Sequence, residues 1–162
     1  MRGKTLGFAA AVAITALMAG SAVAATCNDG SDKAAFHVRA LQTDLMVAAL
    51  TCEARPEYNS FVRKFRASLV DHGMALKVLF KHLHGGKAEK ALNAYVTALA
   101  NRASQRSISH RDQYCERTLR TFTALQGLKP AQLASFSMQR PVSDVDVPST
   151  CRPEVIVVDT SK

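Results

Sequence analysis

The chain holds no glycine-rich phosphate loop, no G-x-S-x-G elbow and no H-E-x-x-H pair. The motif-borne routes to phosphoryl transfer, α/β-hydrolase chemistry and zinc proteolysis are therefore missing. Carboxylates are few, thirteen against twenty-one Lys and Arg, and scattered, so no acid–base pair can be read from spacing. There is no Cys-x-x-Cys pair, which argues against a thioredoxin-like redox motif or a zinc ribbon. No apolar run outside the first residues approaches the roughly 20 residues that span a bilayer. Internal repeats and low-complexity tracts are also lacking, and nothing implies a cofactor. An enzyme is not excluded by these absences, because catalytic groups assemble from distant positions.

What is present begins with a leader. Arg2 and Lys4 precede an apolar run from Leu6 to Met18, and Ala22-Val23-Ala24 forms a small-residue cleavage site. Residues 1–24 read as a secretory signal peptide, which places the mature protein in the periplasm or outside the cell. Ala24-Ala25-Thr26 before Cys27 is a poor lipobox, so a lipoprotein is not expected. Cleavage leaves enough chain for one domain with one core. All four cysteines, Cys27, Cys52, Cys115 and Cys151, survive it, and an even count in an exported chain favours two disulfides.

Leu45 to Leu50 shows six residues without a polar side chain, inside the stretch Phe36 to Cys52. A helix apolar all round is buried by neighbours on several sides. The spacing predicts this as the central helix of an all-α domain, capped at Ser31 or Asp32. A second helix runs from about Pro56 to Gly85-Gly86. Tyr58, Phe61, Phe65, Leu69, His72, Leu76, Leu79 and Leu83 follow one another along it at three or four residues, forming one core stripe. A third helix starts near Lys87 with Ala88, Leu92, Tyr95 and Leu99 inward. Continuing that face would bury Arg102 and Arg106, which is costly without partners. Meanwhile Ile108, Cys115, Leu119 and Phe122 form an apolar set on the opposite side. A break between Ala103 and Ser109 removes the conflict, with Ser109 to Asp112 as a capping box for a fourth helix to about Gln126. The expected fold is a compact all-α bundle of about four helices over residues 25–137, with an extended tail over 138–162.

The helix lengths predict the cysteine pairing. A first helix of about 20 residues separates its ends by about 30 Å. The four residues after Cys27 double back only about 14 Å, so Cys27 does not reach Cys52. The second helix descends from Cys52 and the third climbs back, bringing Cys115 near Cys52. The expectation is Cys52–Cys115 together with Cys27–Cys151.

Among side chains that could carry chemistry, His72 lies within the apolar stripe of the second helix. It is either a core imidazole or a ligand group facing an internal pocket. His82 and His84 point about 200° apart on a helix and chelate together only if its end frays before Gly85, so no metal site is expected. Arg102 and Arg106 either lie at the surface of a helix junction or turn inward to form an anion site. Excess positive charge is concentrated in the helical body, where residues 53–129 hold fourteen Lys or Arg against six Asp or Glu. Arg117 and Arg120 would extend the basic face formed by Arg102 and Arg106, joined by Arg63, Arg66, Lys77 and Lys81. A face of arginines without interleaved aromatics is no single-strand platform, and export makes nucleic acid an improbable target. The excess charge either only solubilises the protein or meets an acidic periplasmic protein or an anionic membrane surface.

The runs LMVAALTC, Tyr58-Asn59-Ser60-Phe61-Val62, ASQRS and Tyr114-Cys115 resemble small exported helical proteins of Gram-negative bacteria without assigned function. The resemblance covers roughly residues 36–126. It implies the helical fold and the importance of Cys52 and Cys115, and it transfers no catalytic residue. The sequence thus points to a periplasmic binding or interaction protein with a basic surface. The alternative is a small-ligand carrier or enzyme with a pocket near His72 or Arg106.

Overall fold

A computed structural model describes residues 30–140. Helix α1 (Ser31–Thr51) lies at the centre, with α2 (Arg55–His84), α3 (Ala88–Ser109), α4 (Arg111–Gly127) and the short α5 (Leu133–Gln139) packed against it. The described residues are all-α. Residues 1–29, with the expected leader and Cys27, and residues 141–162, with Cys151 and the expected tail, lie outside them. The helical body runs slightly further than the sequence implied, because Met138 and Gln139 belong to α5 and not to the tail.

Helix α1 is central because its residues are small and apolar on nearly every side. Ala34, Ala35, Phe36, Val38, Ala40, Leu41, Leu45, Val47, Ala48 and Ala49 are all buried. Alanines let neighbouring backbones approach closely, and leucine and phenylalanine fill what remains. The burial is not complete. Met46 and Leu50, one turn apart, stay exposed along one seam. Neither Ser31 nor Asp32 caps this helix; Gly30 stands at its N-cap without a side-chain bond.

Helix α2 follows its sequence signals closely. Pro56 sits in its first turn, and Gly85, at φ +53°, turns the chain out of it. A left-handed φ is costly for a residue with a Cβ, so glycine is what allows the helix to stop there. Phe61, Phe65, Leu69, Leu76 and Leu79 are buried, joined by Phe80. His72 is only half-buried, at the edge of that stripe.

The largest departure is at the junction of α3 and α4. No break occurs between Ala103 and Ser109. Helix α3 continues to Ser109 and the chain bends at the single residue His110, with φ −141° and ψ 55°. The amide of His110 still bonds to the Arg106 carbonyl at 3.1 Å. The capping box at Ser109 is not formed, since His110 is the N-cap and makes no side-chain cap. Helix α3 stays continuous because its inward face runs on through Ala103 and Ser107, both buried and small. Ser107 donates to the Ser104 carbonyl at 2.8 Å, so its hydroxyl is satisfied.

The apolar set assigned to the opposite side is split: Phe122 is buried and Cys115 packs at the core margin, while the other two members face solvent. Ile108 is 81% exposed and Leu119 is exposed as well. Besides Phe122, helix α4 buries Tyr114, Thr118, Thr121 and Leu125. Thr118 and Thr121 return their hydroxyl protons to the carbonyls of Tyr114 and Arg117, both at 2.8 Å, so the methyl side of each packs inward without an orphaned oxygen.

One disulfide joins described residues, Cys52 to Cys115, with Cα atoms 5.4 Å apart. It ties the end of α1 to the second turn of α4, the level at which helix lengths placed it. The companion Cys27–Cys151 falls outside the described residues.

Candidate functional site

Two regions concentrate polar or accessible chemistry. The first surrounds Asp44, near the middle of α1. Its carboxylate Oδ1 accepts a bond from Arg106 Nη2 of α3 at 3.0 Å, and both side chains are largely shielded, at 18% and 26% exposure. The Asp44 backbone carbonyl accepts the Tyr114 hydroxyl of α4 at 2.8 Å. Tyr114 is buried, and Arg117 lies over its ring at 5.3 Å. Arg140, just after α5, stacks on Phe136 at 5.2 Å. Side chains of α3 and α4 thus meet Asp44 of α1 at its carboxylate and its backbone carbonyl, with Arg140 close enough to feel its charge.

The electrostatics follow from burial and charge. Burial first, and the Asp44 charge second, push the Tyr114 hydroxyl far above its usual range, with Arg106 and Arg117 opposing. Tyr114 is a neutral donor at any physiological pH. Arg140 is held below its ordinary value by burial and then by Arg117, with Asp44 acting the other way. One carboxylate engaged by a guanidinium, beside a neutral phenol that donates to the Asp44 backbone carbonyl, does not make a general-base pair. The arrangement ties four elements together and leaves an excess of positive charge.

Of the residues singled out by sequence, Arg106 and Arg117 enter this cluster. Arg106 turns inward, but its anion is supplied by Asp44 of the same chain. Arg102 lies one turn earlier on α3, where its Nε donates to the Ala98 carbonyl at 3.3 Å. Arg120 is exposed and ion-paired with Glu116 one turn back. His72 belongs to α2, and its pKa is lowered by burial with Asp71 acting in the opposite direction. Asp44, Tyr114 and Arg140 were missed. Asp44 had a signal: it is the only acidic residue between Asp32 and Glu53.

Removing the carboxylate tests the cluster. Asp44→Ala leaves Arg106, Arg117 and Arg140 near one another without their counter-ion. The expected loss is about 2 kcal/mol, below the range for a fully buried pair because these groups are partly solvated. High salt should return part of the loss by screening the repulsion. Urea denaturation at low and high salt measures both effects, and a loss insensitive to salt would assign the role of Asp44 to packing alone.

The second region is a groove between α2 and α3. One part, of about 360 Å³, is floored by Val70, Gly73, Leu76, Leu92 and Val96 and reached by Arg39 of α1. The adjoining part, of about 440 Å³, shares Lys77, Leu92 and Asn93 and extends past Phe80, Lys81 and Glu89. Neither His72 nor Arg106 lines them, so the groove is displaced from where the sequence placed a pocket. His84 and His82, at the end of α2, are exposed, and the His84 ring lies 5.4 Å from that of Phe80. Among the described residues no three His, Cys, Asp or Glu side chains gather in a way that would hold a metal ion.

Comparison of the chain with protein-family models, curated proteins and solved structures finds no match. The site is therefore read from its own geometry. The Asp44 cluster is internally neutralised in part and accounts for cohesion between helices. Among the described residues, the outer face of α2 and the groove beside it are open to solvent. No described helix is long and apolar enough to cross a membrane.

Proposed function

We propose that this is an exported, periplasmic binding protein without catalytic turnover, which docks onto anionic membrane surfaces through the basic outer face of α2. The observation that carries this reading is the composition of that face. At about 100° per residue, Arg63, Arg66, Lys77 and Lys81 fall on the side opposite the buried stripe. All four are exposed. Among them stand Val70, Met74 and Val78, with 56%, 54% and 53% of their surface open to solvent. Cations alone would serve solubility. Exposed aliphatic side chains at four-residue spacing between cations fit a lipid interface, where the apolar groups enter the acyl boundary and the ammonium and guanidinium groups meet phosphates. Arg117 on α4 adds to the same excess of charge. The leader sequence and the even cysteine count support the compartment.

Sedimentation with phosphatidylglycerol-containing vesicles tests this. Wild-type protein should bind at low salt and weaken steeply toward physiological salt, where screening acts over about 8 Å. Arg63→Glu with Arg66→Glu should weaken binding by at least about thirtyfold, since each cation near an anionic surface contributes about 1 kcal/mol. The melting temperature should hardly change, because both side chains are exposed. Absence of vesicle binding at low salt would defeat the membrane reading. Salt-sensitive capture of an acidic periplasmic protein, with no vesicle binding, would replace it with a protein partner.

A further inference from the structure

We infer that the groove between α2 and α3 is a binding site for a long-chain carboxylate, with the acyl chain on Val70, Leu76, Leu92 and Val96 and the head group on Arg39. Three independent observations lead there. The first is Gly73, in the middle of the thirty-residue helix α2. Glycine in a helix interior costs about 1 kcal/mol relative to alanine and is ordinarily repaid where another backbone approaches closely. Here nothing lies within 4 Å of where its Cβ would stand. What the missing side chain does is deepen the groove that Gly73 lines.

The second is Arg39. Its Nε is buried and has no hydrogen-bond partner, while Nη1 reaches Gln42 Oε1 at 3.3 Å. An unsatisfied donor on a cation is expensive inside a protein and calls for an acceptor. Arg39 lines the groove, and a guanidinium edge accepts a carboxylate in fork geometry. The third is the match of size and character. A cavity of about 360 Å³, apolar along its floor and carrying one or two cations, falls within the range of small-molecule sites. Lys77 stands over the same groove and adds a second positive charge. Glu89 lies in the adjoining part, away from Arg39's portion, so the anionic end belongs at Arg39.

The groove shares Val70, Met74 and Lys77 with the outer face of α2, so the two readings are separated by variants outside those shared residues, one double and one single. Isothermal titration of the wild type with dodecanoate should show saturable binding, and 1-dodecanol, which lacks the charge, should bind at least about tenfold more weakly. Arg39→Gln should reduce dodecanoate affinity by about tenfold or more and bring it near that of the alcohol. Gly73→Leu fills the groove from open space, so it should abolish binding while raising the melting temperature. Arg63→Glu with Arg66→Glu should leave dodecanoate binding intact, just as Gly73→Leu should leave vesicle binding intact. The inference fails if wild-type protein does not bind dodecanoate. It also fails if folded Gly73→Leu binds it as well as the wild type, or if Arg39→Gln binds acid and alcohol with wild-type affinities.

Discussion

Replacing Cys52 and Cys115 together by alanine is expected to lower the free energy of unfolding by about 4 kcal/mol, the figure for a cross-link closing a loop of this size. The two cysteines are 63 residues apart in sequence, and the loop between them contains all of α2 and α3. Without the bond the unfolded chain regains the freedom of that whole segment, while the folded state loses little contact. Cys52 and Cys115 are only partly buried, packed at the margin of the main core. For a domain of this size the loss corresponds to about 15 °C in melting temperature. Thermal and urea unfolding of the double variant measure it. A fall of less than 1 kcal/mol, on the order of one ordinary hydrogen bond, would mean the helices hold this end without the staple. Replacing both residues avoids a stranded thiol that could exchange with other cysteines.

Phe36→Ala is the second large effect, with an expected loss of about 3–5 kcal/mol from lost burial and the cavity left behind. Phe36 is fully buried near the start of α1 and belongs to a core cluster separate from the one around Cys52. It meets the Tyr95 ring of α3 edge-on at 5.3 Å, and the Phe80 ring of α2 lies 6.1 Å away. Those three rings join three helices at the end of the bundle opposite the disulfide. The surroundings are large side chains, Leu76, Leu79 and Phe80, which cannot collapse far into the gap. Phe36→Leu should cost well under half as much, because it retains most of the volume. Equal losses for both variants in urea denaturation would show that ring geometry, and not filling, is what the site requires.

The disulfide and Phe36 predictions address different ends of the molecule and should add nearly independently. The Asp44 cluster lies between them on α1. Combining Asp44→Ala with the disulfide variant would therefore show whether α4 is held mainly by its staple or by its polar contacts.

Several features were determined by the sequence alone, and each is local. Pro56 in the first turn of α2 and Gly85 at its exit are backbone effects of single residues. The stripe from Phe61 to Leu79 is a repeat matched to the helical period, readable without knowing its neighbours. The pairing of Cys52 with Cys115 followed from helix lengths, which add along the chain. The continuity of α3, the buried threonines of α4, the Asp44–Arg106 pair and the α2–α3 groove were decided only by tertiary structure. Arginines on the inward face of α3 look prohibitive until Asp44, 62 residues away, is placed 3.0 Å from Arg106. Thr118 and Thr121 look polar until their hydroxyls close onto their own helix and leave the methyls to pack. Gly73 and Arg39 are unremarkable letters, on two helices, until α3 comes alongside and leaves space over one and no partner for the Nε of the other. Periodicity reports which side of a helix is apolar, but burial of a charge or an opening between helices depends on what the neighbouring element brings to that point.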